Sequence, residues 1–491
     1  MNMDKPIRRV AIFGMLLFFG LMIQVNYVQG SEAESLRNDP NNARQYQNVF
    51  NSPRGQITAG GEVLASSSLT GKDNPKYGRT YKDGLAFSPV TGYFNGGASK
   101  VELAYNSLLG GTDKRITHQR WFDTFIGKKA EGANVELALD PDAQRRAYQL
   151  LKNGTTRRAG AAVIDIRTGA VKVLSSSSSF DPNLVAPQTG EKGVKVLEQL
   201  DGQRGVIQPL IDNGMSQTFP PGSSFKTVVA AMALDELGMT KTSTVNTGPL
   251  ILPESGNPLP NSHDGGSCAG SAPLIGAFAE SCNTTFGRIA LDAGIQKLHD
   301  ESSKFGFNRH WAIEPLVKPA ESDVPLSYVD ANGNKVTTGR DGTARSGIGQ
   351  ENVRATPLQM AMVAAAVAND GKIMQPYLVQ KVTTKDQKTL YEANAKVFSE
   401  AMKSDTASQL REMMRAVVNE GTAKNLIGQN IAGKTGTAEQ GAGLPNARWF
   451  VGFSPIENPR YAFAVVTEGS GDGASGAGPI AASIMAQVRR K

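Results

Sequence analysis

Phe219-Pro220-Pro221-Gly222-Ser223-Ser224-Phe225-Lys226 stops the backbone with two prolines and a glycine and then starts a helix, which the apolar, Ala-rich residues 228–237 continue. On a helix, positions three apart share a face, so the Lys226 amine comes within reach of the Ser223 hydroxyl. The hydroxyl then lies at the positive helix end, where a neighbouring cation favours its alkoxide. This is the layout of a serine nucleophile whose base is lysine. The tetrad is the sole Ser-x-x-Lys in the chain. Taken alone, the same pattern is ordinary helix capping.

Two further motifs supply the other walls of a site. Ser281-Cys282-Asn283 follows residues 272–280, whose pattern predicts an amphipathic helix. A second Ser-x-Asn, Ser255-Gly256-Asn257, falls in a Gly/Pro/Ser-rich loop at 249–271. A catalytic hydroxyl and amide need rigid support, so Ser281 and Asn283 are the candidates. Lys434-Thr435-Gly436-Thr437 occurs once, in the first of three predicted strands at 430–438, 447–454 and 461–468. Gly436 lacks a Cβ, which lets a substrate backbone lie along the strand edge. Lys434 and the hydroxyls of Thr435 and Thr437 offer charge and donors to a carboxylate.

Around these motifs, residues 161–166 and 171–175 pattern as a hairpin about Arg167-Thr168-Gly169. The serine run 175–179 reads as a solvated loop, 358–368 as an apolar helix and 480–490 as a last helix. Residues 218–305 read as mostly helical apart from the loop at 249–271. Strands at both chain ends flanking this helical middle predict one α/β unit whose sheet joins early and late residues. Upstream, 54–57 and 61–65 read as strand, turn, strand about Gly60-Gly61, and 31–47 as a polar helix. Residues 135–139 alternate as a half-buried strand, and Asp140-Pro141 opens a helix through Leu150. A boundary near 153–158 is expected, dividing a smaller α+β domain at 31–153 from a unit at 154–491.

At 491 residues and 40% hydrophobic content the chain fills two or three domains. Its net charge of +7 is spread over 52 basic and 45 acidic residues with no basic stripe interleaved with aromatics. That argues against nucleic acid and suits an anionic surface, such as lipid headgroups or a cell-wall polymer. Residues 10–28 are apolar over about 19 positions, near the length that spans a bilayer. Lys5, Arg8 and Arg9 precede this run, and Glu32 and Glu34 follow it. The asymmetry predicts a cytoplasmic tail at 1–9, a single transmembrane anchor at 10–28 and an exported body. A cleaved signal peptide is the rival, with Val28-Gln29-Gly30 at its cleavage site, but the apolar run is long for one. In an oxidising compartment Cys268 and Cys282, 14 positions apart (282 minus 268), could pair; two unpaired buried thiols are the alternative. The four histidines form no metal-binding pattern, so no metal is expected.

Ser-x-x-Lys, Ser-Asp-Asn and Lys-Thr-Gly, in this order, are the signature of penicillin-binding proteins and class A β-lactamases. Here Cys282 stands at the middle position of the second motif. Further matches are Arg54-Gly55-Gln56-Ile57 with Leu64-Ala65, Asp181-Pro182-Asn183, Ser346-Gly347-Ile348-Gly349-Gln350 with Thr356-Pro357-Leu358-Gln359, and Arg448-Trp449-Phe450-Val451-Gly452. Nearly end to end, the chain resembles a class B penicillin-binding protein, most closely the short A type of actinobacteria. The resemblance implies an α/β (α+β) transpeptidase domain of the penicillin-binding, serine β-lactamase-like fold, with a central antiparallel sheet. It also implies a peptidoglycan D,D-transpeptidase in the plasma membrane that β-lactams acylate and that needs no cofactor. Ser223 would attack the carbonyl between two terminal D-alanines of a stem peptide, and Lys226 would take its proton. Ser281, with Lys434, would relay that proton to the leaving amine. Asn283 would hold the peptide backbone, Thr435 and Thr437 the terminal carboxylate, and the backbone N–H groups of Ser223 and Thr437 the oxyanion. Expected partners are D-Ala-D-Ala stem peptides and β-lactams, with a membrane glycosyltransferase and divisome proteins beside them.

Rival chemistries use the same motifs. A class A β-lactamase deacylates through a glutamate in Glu-x-x-x-Asn between the second and third motifs. None of Glu301, Glu314, Glu321, Glu351, Glu392, Glu400, Glu412 or Glu420 has Asn four residues on, which disfavours fast hydrolysis. A D,D-carboxypeptidase differs only in using water as the acceptor. A non-enzymatic β-lactam sensor needs a cytoplasmic output, for which about nine residues before the anchor are too few.

Overall fold

A computed structural model describes residues 4–32, 49–117, 131–330, 332–441 and 443–490. It opens with helix α1, Asp4–Tyr27, whose apolar side chains from Val10 to Tyr27 are exposed all round. By length and composition this helix can cross a membrane, in keeping with the expected single anchor. The polar helix expected at 31–47 lies almost wholly outside the described residues.

The next elements are strands β1 (Ile57–Ala59), β2 (Glu62–Leu69) and β3 (Tyr77–Tyr81), helix α2 (Gly84–Thr91) and strand β4 (Asn134–Leu137). The turn at Gly60-Gly61 has positive φ at both residues, as a tight hairpin requires. Helix α3, Pro141–Gly154, runs four residues beyond the expected end; Asp140 caps it by accepting from the Asp142 and Ala143 N–H groups at 3.1 and 3.0 Å. Strands β5 (Ala159–Asp165) and β6 (Val171–Ser176) form the expected hairpin. The serine run departs from expectation. Ser175 and Ser176 end β6, and with Ser178 they are buried. Ser176 Oγ donates to Ser178 O and accepts from Asn213 N–H, so hydrogen bonds within the protein satisfy a hydroxyl that was expected in water.

Helix α4, Lys226–Glu236, is buried on every side through Leu234. The amphipathic helix expected at 272–280 shortens to α5, Leu274–Ala279, because Ser271–Pro273 pairs as a strand with Thr244–Asn246. Helices α6 (Asn283–Ala293) and α7 (Pro357–Ala368) follow. Strands β7 (Val379–Thr383) and β8 (Thr389–Glu392) then return to the first sheet. Helix α8 (Ser404–Asn419), strands β9 (Ala432–Ala438), β10 (Asn446–Ser454) and β11 (Tyr461–Gly469), and helix α9 (Ala477–Val488) complete the chain.

Among the described residues the larger elements form two sheets. One has the order β8-β7-β4-β1-β2-β3, with β1 and β4 parallel and the other pairs antiparallel. The other is wholly antiparallel, β9-β10-β11-β5-β6, and joins the early hairpin to the last strands as expected. Helices α3 and α9 cover one of its faces; α7, backed by α8, covers the other. All residues of β5 are therefore buried. This order leaves β9, which carries Lys434-Thr435-Gly436-Thr437, at the sheet edge.

Candidate active site

The Pro220-Pro221-Gly222 break turns the chain into a 3-10 turn, Gly222–Phe225, that leads directly into α4. Ser223 therefore sits one turn ahead of the α-helix proper. Gly222 has φ 53°, and its N–H donates to Gly349 O at 2.9 Å. A Cβ here would lie 2.6 Å from Thr437 O, so the turn presses directly against β9. Trp449 Nε1–H holds Pro220 O at 2.9 Å from beneath. Ser223 is half-buried and lines a cavity of about 220 Å³ together with Ser281, Asn283, Thr435 and Thr437.

Lys226 is wholly buried and bonds to two residues that line the cavity. Its amine donates to Ser281 O at 2.8 Å, Ser281 Oγ at 3.1 Å and Asn283 Oδ1 at 2.7 Å. These bonds, rather than one to Ser223 Oγ, hold it in the structure. Asn283 Nδ2 donates in turn to Pro260 O at 2.7 Å, which fixes the amide. Burial, and then the charge of Lys434, hold the Lys226 amine well below the ordinary lysine range. Lys434 is also wholly buried, and burial brings it to about 7. Each amine lies 5.6 Å from the centre of an aromatic ring, Phe286 for Lys226 and Phe278 for Lys434. Those two rings meet edge to face at 6.0 Å.

Between α5 and α6, Ser281 takes the left-handed φ of 64°, a strained conformation for a residue with a side chain. Cys282 beside it is bonded to Cys268, Cα to Cα 5.4 Å, which ties the motif to the preceding loop. Ser255 and Asn257 are exposed between the short strands Leu250–Ile251 and Pro258–Leu259.

On β9, Thr435 and Thr437 flank the cavity, but Gly436 serves another purpose than the one expected. A Cβ there would lie 2.6 Å from Pro221 O and 3.1 Å from Ser224 N. Its bare α-carbon admits the protein's own nucleophile turn. Thr422, which sequence reasoning missed, shares a 2.6 Å hydrogen bond with the Thr435 hydroxyl. Phe278 and Phe286 were missed too, because they sit on separate helices, α5 and α6, and no motif links them.

Ser223, a buried low-pKa amine, a fixed hydroxyl and an edge strand with two threonines can together perform acyl transfer to serine. A family model described as the penicillin-binding protein transpeptidase domain matches residues 159–487. The chain belongs to the penicillin-binding protein transpeptidase family. A second model, the penicillin-binding protein A dimerisation domain, matches residues 54–135. Among relatives of this penicillin-binding chain, the peptidoglycan D,D-transpeptidase PbpA of Mycolicibacterium smegmatis is 34% identical, with 100% of each chain covered. PbpA of Mycobacterium tuberculosis is 32% identical over 97% of this chain and 96% of that one. The fold is similar to penicillin-binding protein A from M. tuberculosis in its imipenem acyl-enzyme complex: TM-score 0.80, 30% identity, 90% of this chain and 100% of that one. The penicillin G acyl-enzyme complex gives 0.79 at 29% identity over 89% of this chain and 100% of that one.

Proposed function

We propose that this chain is a membrane-anchored serine D,D-transpeptidase that cross-links peptidoglycan stem peptides, and that β-lactams acylate it at Ser223. The observation that carries this is the Lys226 amine, buried, held well below the ordinary lysine range, and hydrogen-bonded to Ser281 and Asn283, which line the cavity with Ser223. Ser223 Oγ attacks the carbonyl carbon between two terminal D-alanines while Lys226 Nζ takes the hydroxyl proton. Backbone N–H groups of Ser223 and Thr437 receive the oxyanion, each worth ~3 kcal/mol in the transition state. The proton passes through Ser281 Oγ, 3.1 Å from Lys226 Nζ, to the departing D-alanine nitrogen. Asn283 positions the peptide backbone; Lys434, Thr435 and Thr437 take the terminal carboxylate. An amine from a second stem then attacks the acyl carbon, gives up its proton through the same pair and releases Ser223. The chemistry draws on protein groups alone.

The body of the chain is read as extracytoplasmic behind an uncleaved anchor, supported by the basic residues before the apolar run at 10–28 and the acidic ones after it. Residues 31–153 are read as an interaction domain, and 154–491 as the transpeptidase domain. The first would set the enzyme beside a membrane glycosyltransferase within the division or elongation machinery. The match of 54–135 to a dimerisation family supports this, as does the position of every candidate site residue outside that segment.

Intact-protein mass spectrometry after benzylpenicillin tests the mechanism. A slowly decaying adduct is expected on the wild type and none on Ser223→Ala. An adduct that survives in the variant would overturn the role of Ser223, and rapid release of penicilloate would make the chain a β-lactamase.

A further inference from the structure

We infer that Asp472, on the loop after β11, receives the ammonium group of the acceptor and so steers the acyl-enzyme toward an amine and away from water. The inference rests on the transpeptidase reading of the Ser223 site. The cavity that Ser223 lines is walled by hydroxyls, amides and apolar groups, and Asp472 is the one side chain among those lining it that carries a formal charge. Its place is fixed. Oδ1 accepts from the Ser475 N–H at 2.8 Å and from Ser475 Oγ at 2.7 Å. Beside it Gly473 lies against the sheet, where a Cβ would come to 2.1 Å from Trp449 O and 2.6 Å from Gly436 O. Asn425 Nδ2 donates to Ala474 O at 2.8 Å and ties down the other side. Asp472 Oδ2 has no protein partner among the described residues. Arg448, the cation that acts on this carboxylate, forms no ion pair with it and donates to Ser470 O at 2.6 Å instead.

A fixed anion in this cavity does not serve the donor. The donor brings its own terminal carboxylate to Lys434, Thr435 and Thr437, and the charge of Asp472 opposes it. Departure of D-alanine removes that second negative charge and leaves Asp472 facing a cavity with room for a cation. An aliphatic primary amine is an ammonium ion at neutral pH, whereas water, the rival acceptor, is uncharged. The departing and the attacking amine use the same bond to the acyl carbon, so one carboxylate at the cavity attends both. The docked ammonium first gives one proton to solvent by way of the exposed Asp472 carboxylate. Its nitrogen then bonds to the acyl carbon as the bond from that carbon to Ser223 Oγ breaks. The second proton reaches Oγ through Ser281 and Lys226, and the free hydroxyl is restored.

The partition of the acyl-enzyme tests this on the full-length protein in detergent. A thioester of an acyl-D-alanine loads Ser223, and an added amine competes with water for the acyl group. One acceptor is Nα-acetyllysine methylamide, charged at neutral pH; the other is an alkoxyamine of equal length, uncharged there. Mass spectrometry of the products gives the ratio of transfer to hydrolysis. Asp472→Asn keeps an oxygen for Ser475 and should lower that ratio about fivefold for the charged acceptor, the order of one ion pair at a half-open site. The ratio for the alkoxyamine should stay near its wild-type value, and Asp472→Glu should restore part of the loss. An equal fall for both acceptors would make Asp472 a prop of its loop and overturn the inference. An unchanged ratio in a variant that still forms its benzylpenicillin adduct would overturn it too, as would hydrolysis without transfer on adduct-forming wild type. Absence of the adduct on wild-type protein would instead overturn the transpeptidase reading beneath it.

Discussion

Lys226 and Lys434 are both sealed from water, and after burial the charge of Lys434 lowers the Lys226 amine further. Their charges repel, and burial penalises each, so the pocket favours one proton at most between them. Lys434 loses its proton near 7 in the open pocket, and an incoming carboxylate draws one back to it. Removing that charge by Lys434→Met should raise the Lys226 pKa. The acid limb of the acylation rate then moves to higher pH, and the maximal rate falls. Benzylpenicillin acylation followed from pH 5 to 10 checks this; an unmoved limb would show that the two amines are not coupled. Stability follows the same shift. With a folded value of about 7 against an ordinary 10.5, the unfolded chain binds a proton that the folded protein refuses in that window. The Lys434 contribution to stability therefore rises with pH from about 7 toward 10.5 and is flat below, a slope that Lys434→Met should remove. At this scale the sequence was most informative: Ser223, Lys226, Ser281, Asn283 and Lys434 were recoverable because each occupies a short motif of fixed spacing. Thr422, Phe278 and Phe286 have no such spacing; only packing brings them to the site.

Strand β9 and the Gly222–Phe225 turn interlock through missing side chains. Gly222 leaves room for Thr437 O, Gly436 leaves room for Pro221 O, and Gly349 leaves room for Gly222 O, which a Cβ would approach to 2.2 Å. The nucleophile's position is thus set by backbone against backbone, which tolerates less adjustment than side chains do. Gly436→Ala should displace the turn by several tenths of an ångström, cut acylation about a hundredfold and cost ~1–3 kcal/mol in stability. Penicillin acylation kinetics beside thermal melts check both; normal kinetics would mean that the turn yields without moving Ser223. Elements built on local pattern, such as the β5–β6 hairpin and helices α3 and α7, were readable because alternation, caps and turn residues coincide in them. The serine run was not. The Ser176 hydroxyl accepts from Asn213 and the Ser178 hydroxyl donates to Gln208 O, thirty or more positions away, and polarity alone does not disclose such partners.

The two sheets are not divided as the chain is. Strands β7 and β8 come from within the transpeptidase match, yet β7 pairs with β4, Val382 against Val135, and with β8 on its far side it completes the sheet that β1 begins. Glu314 clamps the junction: Tyr105 OH donates to it at 2.6 Å, and the Leu378 and Val379 N–H groups at 2.7 and 2.8 Å. Lys100 and Asp212 form a second tie across it. A variant lacking residues 33–137 should therefore expose Val379–Thr383 as an unpaired edge and aggregate. Size-exclusion chromatography decides the matter; a monodisperse, penicillin-reactive truncation would show that the late strands need no partner. This pairing was beyond sequence reasoning because β7 is a short, half-polar strand whose partner β4 lies some 240 positions away, and local alternation carries no record of its partner. It also imposes a timetable. A chain that emerges from its N-terminus offers β4 to solvent with one side open until residues as late as Thr383 arrive. The first domain in sequence is then the last to be finished, and whatever escorts the nascent chain must guard that open edge in the meantime.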